Sequence, residues 1–114
     1  MNNEDEINTI EISVEQAKKD VATMKAIHNL GSHPDFVNVV IKGYFETEAH
    51  RLVMLKAEPA MQSDEMQKSI IKSMDAIGSF RQYMIARIHE GRMAEKAIIE
   101  DQETIDTMHE EDMG

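Results

Sequence analysis

Residues 64–108, DEMQKSIIKSMDAIGSFRQYMIARIHEGRMAEKAIIEDQETIDTM, decide the fold of this chain. Met66, Ile70, Met74, Ile77, Met84 and Ile88 recur there in steps close to three and four, the spacing that keeps apolar side chains on one stripe of an α-helix. Arg81 fills one intermediate position of this heptad-like seam. The pattern resumes after Gly91 through Ala94, Ile98, Ile105 and Met108, with Asp101 breaking one place. Ser63-Asp64-Glu65 offers an N-cap and two acids suited to the positive end of the helix dipole. The spacing predicts one helix over 64–108, or two with a bend at Gly91. A single helix of that length would extend about 65 Å, more than a compact domain of this mass requires. Part of it is therefore expected to project or to pair with another chain.

Working toward the N-terminus, Pro59 forces the residue before it out of helical conformation, so the preceding helix should stop near Ala57 or Glu58. That helix should begin at Ser32-His33-Pro34-Asp35, because a proline in the first turn lacks only an N–H that would have had no partner. Phe36, Val37, Val40, Ile41, Tyr44, Phe45, Leu52 and Leu55 follow at what reads as an unbroken 3.6-residue period, despite the β-branched run from Val37 to Ile41. Gly43 inside this helix costs about 1 kcal/mol relative to Ala, which predicts close approach of another helix at that point. A first helix is expected from a capping box at Ser13-Val14-Glu15-Gln16 to Asn29-Leu30-Gly31, with Gly31 in the left-handed conformation that ends helices.

These elements predict an all-α fold, a helical hairpin or three-helix bundle with a long C-terminal helix, that forms homo-oligomers. The domain reading is a flexible acidic arm over 1–12, a helical core over 13–92 and an acidic helical extension and tail over 93–114. Aromatic residues make up only 4% of the 114, with no Trp, so Ile, Leu, Val, Met and Ala must build the interior. The ten methionines are expected mainly in that interior, the alternative being an adaptable Met-rich groove.

Absence of cysteine excludes disulfides, thiolate metal sites and thiol nucleophiles, and fits a reducing compartment. The acidic start, Met1-Asn2-Asn3-Glu4-Asp5-Glu6, is unlike a secretory signal, and no apolar run has the length of a membrane span. A cytosolic protein that does not enter membranes is expected. The formal charge of −10 opposes direct binding to nucleic acid or anionic lipid and favours a partner with a basic surface. Eight acids against Lys96 occupy the stretch from Glu95 onward. Of these, Glu100, Asp101, Glu103, Asp106, Glu110 and Glu111 are candidate partner contacts, on a segment expected to be weakly ordered until the partner arrives.

Catalytic and metal chemistry finds no footing in the pattern. Glu46 and His50 lie one helical turn apart, but a helical di-iron site needs Glu-x-x-His pairs that this sequence lacks. Phosphate-cradling glycine loops, nucleophile elbows and zinc-protease motifs are absent as well. The expectation is a protein that is not an enzyme, with no catalytic residues, cofactor or metal. Tyr44 and Arg51, seven residues apart and so on nearly the same helical face, are further candidate partner contacts, because Tyr and Arg are enriched at binding hot spots. The alternative places the Tyr44 ring in the core and pairs Arg51 with Glu48.

The segments Pro34-Asp35-Phe36, Gly43-Tyr44-Phe45, Ala49-His50-Arg51-Leu52, Ala76-Ile77 and Gly91-Arg92-Met93-Ala94 resemble small acidic helical proteins of tailed bacteriophages, carried as virion or assembly accessory proteins. The resemblance covers roughly residues 20–100. It implies a role as a component, adaptor or chaperone of the head or portal, located in the cytoplasm of the bacterial host or in the virion. A competing reading is an acidic mimic of nucleic acid that blocks a host enzyme. Carboxylates spread along a rigid face would favour mimicry; carboxylates confined to flexible ends would favour assembly.

Overall fold

The computed structural model describes residues 3–113, and among them there are three helices and no strand. Helix α1 spans Asn3–Ser32. Helix α2 covers residues 34–56 as an α turn (Pro34–Phe36), a π-helical stretch (Val37–Glu48) and an α-helical end (Ala49–Lys56). A 3-10 turn at Pro59–Met61 leads to α3, Asp64–Met113, which passes Gly91 without interruption. The chain groups into two compact units: an end unit of Met1–Ile27 with Ala86–Gly114, and a middle unit, His28–Ile85.

The α1 helix starts ten residues before the capping box that was expected to open it. Asn3, Ile7, Ile10, Val14, Ala17, Val21 and Met24 are buried or half-buried, in strict alternation of four and three. The expected flexible arm over 1–12 is thus helix wherever it is described, and the expected tail over 93–114 is helix through Met113. Residues 1, 2 and 114 of those segments lie outside the described residues. Ser13 is an exposed mid-helix residue and caps nothing. The other end differs too: Gly31 is helical with no positive φ, and α1 runs one residue further, to Ser32.

Within the end unit, α1 and the C-terminal part of α3 run antiparallel. The Asn3 amide donates to Asp112 at 3.1 Å, and some twenty residues inward Met24 meets Gly91. A Cβ on Gly91 would lie 2.8 Å from Met24 Sδ and 2.9 Å from its Cγ, so only glycine lets the helices approach this closely. Ile7, Val14 and Met24 on α1 and Gly91, Ala94 and Ile105 on α3 are the buried side of this pair.

In the middle unit the expected boundaries hold. Pro34 occupies the first turn of α2, with His33 Nδ1 accepting from the Asp35 N–H at 3.2 Å. The helix ends at Lys56, and Glu58 before Pro59 is extended (φ −66°, ψ 136°). The Ser63 hydroxyl accepts from the Met66 N–H at 3.2 Å, the expected cap of α3. Two glutamine amides close the turn: Gln62 donates to Lys56 O and Glu58 O at 3.0 and 2.7 Å, and Gln67 to Lys56 O and Met61 O at 2.9 and 2.8 Å. Carbonyls that a helix end leaves without intrahelical donors are thereby satisfied.

The interior of α2 corrects the expected period. Its half-buried side chains come in pairs every four residues, Phe36 and Val37, Val40 and Ile41, Tyr44 and Phe45, Glu48 and Ala49, with Leu52 buried after them. A 3.6-residue helix would rotate such a pattern off its face, whereas a helix closed by i→i+5 bonds turns more slowly and helps hold it there. Gly43 belongs to this stretch. A Cβ there would stand 3.1 Å from Asn38 O, five residues back, and would meet nothing else within 4 Å. Gly43 therefore accommodates its own helix, and the close approach of a second helix expected at Gly43 occurs instead at Gly91.

Leu52, Ile70 and Ile77 are the buried centre of the middle unit, with Tyr44, Phe45 and Met74 packed against them. Each contributes about 1.5–3 kcal/mol by leaving water. Of the expected seam, Met66 and Arg81 are exposed and Asp101 is half-buried. The methionines divide: Met24 and Met84 are buried and Met61, Met74 and Met108 half-buried, while Met54, Met66, Met93 and Met113 are exposed.

Candidate functional site

The residues singled out by sequence fall in two places. Tyr44 and Arg51, with Glu48 between them, come together at a small cleft of about 260 Å³ in the middle unit, whose far wall is Ser73, Ala76 and Ile77 of α3. The Tyr44 ring packs on the core and meets Phe45 and Phe80 at centroid distances of 5.9 and 6.4 Å. Arg51 Nε donates to Glu48 Oε1 at 2.5 Å. This is the alternative arrangement, with the Tyr44 ring in the core and Arg51 paired with Glu48; the cleft brings the two together with Arg51 exposed and Tyr44 half-buried.

The acidic candidates share one helix, and all but Asp101 lie on its exposed side. Glu100, Glu103 and Glu111 flank a shallow surface with Thr104, Thr107 and Met108, whereas Asp101 is turned partly inward. Asp106 and Glu110 are exposed. Helical spacing puts Glu110 on the stripe of Glu103, seven residues on, with Asp106 beside them and Glu100 and Glu111 on the adjoining stripe, so these five share the exposed side of the helix. No single plane gathers all six.

A third place was not visible in the sequence. Between α1 and α3 in the end unit lies an open groove of about 450 Å³, floored by Ala17, Ala94 and Ala97. Ser13 and the exposed Met93 form its walls, and Asp20 and Glu90 stand on opposite rims. Glu90 also accepts from Arg87 Nη2 at 2.6 Å. Continuing along each helix by sevens adds Glu6 beside Ser13 on α1, and Glu100 beside Met93 on α3. Gln16 and His89 line the groove as well, and continuing His89 by seven brings Lys96 to the outer edge of the α3 side; the nearer stripes, Glu6, Ser13, Asp20 and Ile27 on α1 and Glu90, Met93, Ala97, Glu100 and Thr104 on α3, carry no lysine or arginine. Lys18 and Lys25 lie on the other flank of α1.

Charge separates between the units as well. The end unit holds fifteen carboxylates and six basic side chains, a net −9, while the middle unit holds seven and six, a net −1. Among the described residues no three His, Asp or Glu side chains converge as a metal site, and no helix is long and apolar enough to cross a membrane. Compared with protein-family profiles, curated proteins and solved structures, the chain matches none.

Proposed function

We propose that this chain is a non-catalytic interaction protein that engages a partner with a basic surface through its end unit, in the manner of a phage virion or head and portal assembly accessory protein. The observation that carries the reading is the separation of charge: nearly all of the excess lies on one antiparallel helix pair. Carboxylates held on helices attract a basic surface at long range and set its orientation more than they add raw affinity. Cross-linking during purification at low ionic strength from the cells that make the chain should join residues of the end unit to a Lys- or Arg-rich protein. Recovery of the chain alone under those conditions would contradict the reading.

Mimicry of nucleic acid gains one observation, since the carboxylates from Glu95 to Asp112 sit on a continuous helix and not on a flexible end. The basic residues Lys68, Lys72, Arg81, Arg87 and Arg92 earlier on the same helix weigh the other way, because the carboxylates of a mimic would continue along its face. Competition separates the two: a mimic is displaced from its partner by duplex DNA, an assembly factor is not.

Self-association belongs to the middle unit in this reading. Ile71, Gly78 and Ile85 fall seven residues apart on α3; both isoleucines are more than 40% exposed, and a Cβ on Gly78 would touch nothing within 4 Å. With a net charge of only −1, two middle units can approach without the repulsion that two end units would meet. Sedimentation at tens of micromolar should show a dimer or larger species that Ile85→Asp dissociates.

A further inference from the structure

The groove of the end unit has the features of a receptor for a helix. Its floor consists of alanines, which let another backbone come close, and Met93 beside it is more than half exposed, an apolar and adaptable side chain. The charge pattern restricts the occupant. Asp20 and Glu90 stand on opposite rims and Glu6 and Glu100 extend them; against these four carboxylates stand Arg87, paired with Glu90, His89 in the lining and Lys96 at the outer edge, so the rims remain predominantly acidic. An acidic or neutral helix laid here would lose hydration of Glu6, Asp20 and Glu100 and bring no cation of its own in return. A second copy of the same unit would bring another net −9 against the first.

We infer that this groove is a docking site for an amphipathic helix with lysines or arginines flanking its apolar stripe, supplied by a different protein. The inference rests on the basic-partner reading and gives it an address. Small apolar residues of the incoming helix would sit over Ala17, Ala94 and Ala97, with Met93 closing on one side. Its basic side chains would reach the carboxylates on both rims, the arrangement by which amphipathic helices are held in grooves.

A designed peptide tests this directly. It has about 18 residues, Leu and Ala at i, i+3, i+4 and i+7 spacing, Lys elsewhere and a single Trp on the apolar stripe. Because the protein has no Trp, the peptide alone supplies the fluorescence. Adding the full chain should shift its emission to the blue, and a version with Glu in place of every Lys should show no shift. Met93→Lys and the charge-neutral Ala97→Gln should each weaken binding about tenfold or more. Ala22→Lys, which makes the same charge change on the opposite flank of α1, should change it less than about twofold. Circular dichroism of all three variants should match the parent.

Equal weakening by Met93→Lys and Ala22→Lys would mean that diffuse charge holds the peptide; the groove would then be wrong and the basic-partner reading would stand. Failure of the Lys peptide to bind would overturn both. A dimer of the parent protein that Met93→Lys dissociates would assign the groove to a second copy and overturn the inference as well.

Discussion

The two units are built on the same stripe of α3 yet meet their partners differently. Ile70, Ile77, Met84, Gly91, Ile98 and Ile105 form one heptad series, all buried or half-buried. In the middle unit that stripe packs against large side chains, with Tyr44, Phe45 and Phe80 in mutual ring contact beside Leu52. In the end unit it faces α1 through Gly91 and Ala94, and the space goes to Met24. An aromatic cluster gives the middle unit its volume. Close approach of two thin helices gives the end unit its hold, and a pair of helices covers only one stripe of each, so much of its surface stays available for binding. Among the described residues no side chain is fully buried, which marks both cores as thin.

Truncation after Arg92 is the harshest way to break this comparison. It removes Ala94, Ile98 and Ile105, so Ile7 and Val14 lose the surface that covers them, and α1 before Met24 should unravel with a large fall in helical circular dichroism. Retention of full α1 helicity would show that the helix stands without its partner. Ile77→Asp comes next. A carboxylate placed in the buried centre beside Leu52 and Ile70 should cost about 4 kcal/mol or more, read by urea denaturation.

Glycines sharpen the contrast at smaller amplitude. Gly91→Ala drives a Cβ into Met24, and the overpacking, about 1–3 kcal/mol, should exceed the gain in helix propensity. Gly78→Ala meets open space and should stabilise the protein by about 0.5–1 kcal/mol in thermal or urea unfolding. Opposite signs for the same substitution, thirteen residues apart on one helix, are the signature of the two environments. If both stabilised, the close contact of Met24 with Gly91 would be refuted.

Much of the middle unit was legible in the sequence because its signals are local. Pro34, Pro59 and Ser63 mark boundaries by backbone chemistry alone, and the seam of α3 is visible in its own spacing. The four-residue pairing of apolar side chains from Phe36 to Leu52 is also present in the sequence, but it lies close enough to a 3.6-residue period to read as one, so the widened helix does not show there. In the end unit, Ile7 and Ile10 sit among acids and look like a ragged arm. What orders them is a helix about a hundred residues later, and nothing in the first twelve residues announces it. Gly91 suggested a bend for the same reason, since its meaning depends on Met24. Ala17, Ala94 and Ala97 carry no signal singly; they form a groove only once two helices lie side by side.

Docking on a preformed groove requires the end unit to be folded before any partner arrives, and amide hydrogen exchange of the free protein measures this most directly. Amides of residues 7–17 and 95–105 should exchange slowly, with protection close to that of 21–27 and 86–91, because all belong to one cooperative helix pair. Adding the Lys-rich peptide should raise protection modestly and together. Exchange of 95–105 at the rate of an unfolded chain in the free protein, with protection appearing only when the peptide is added, would contradict the account and make the acidic end a segment that folds on binding.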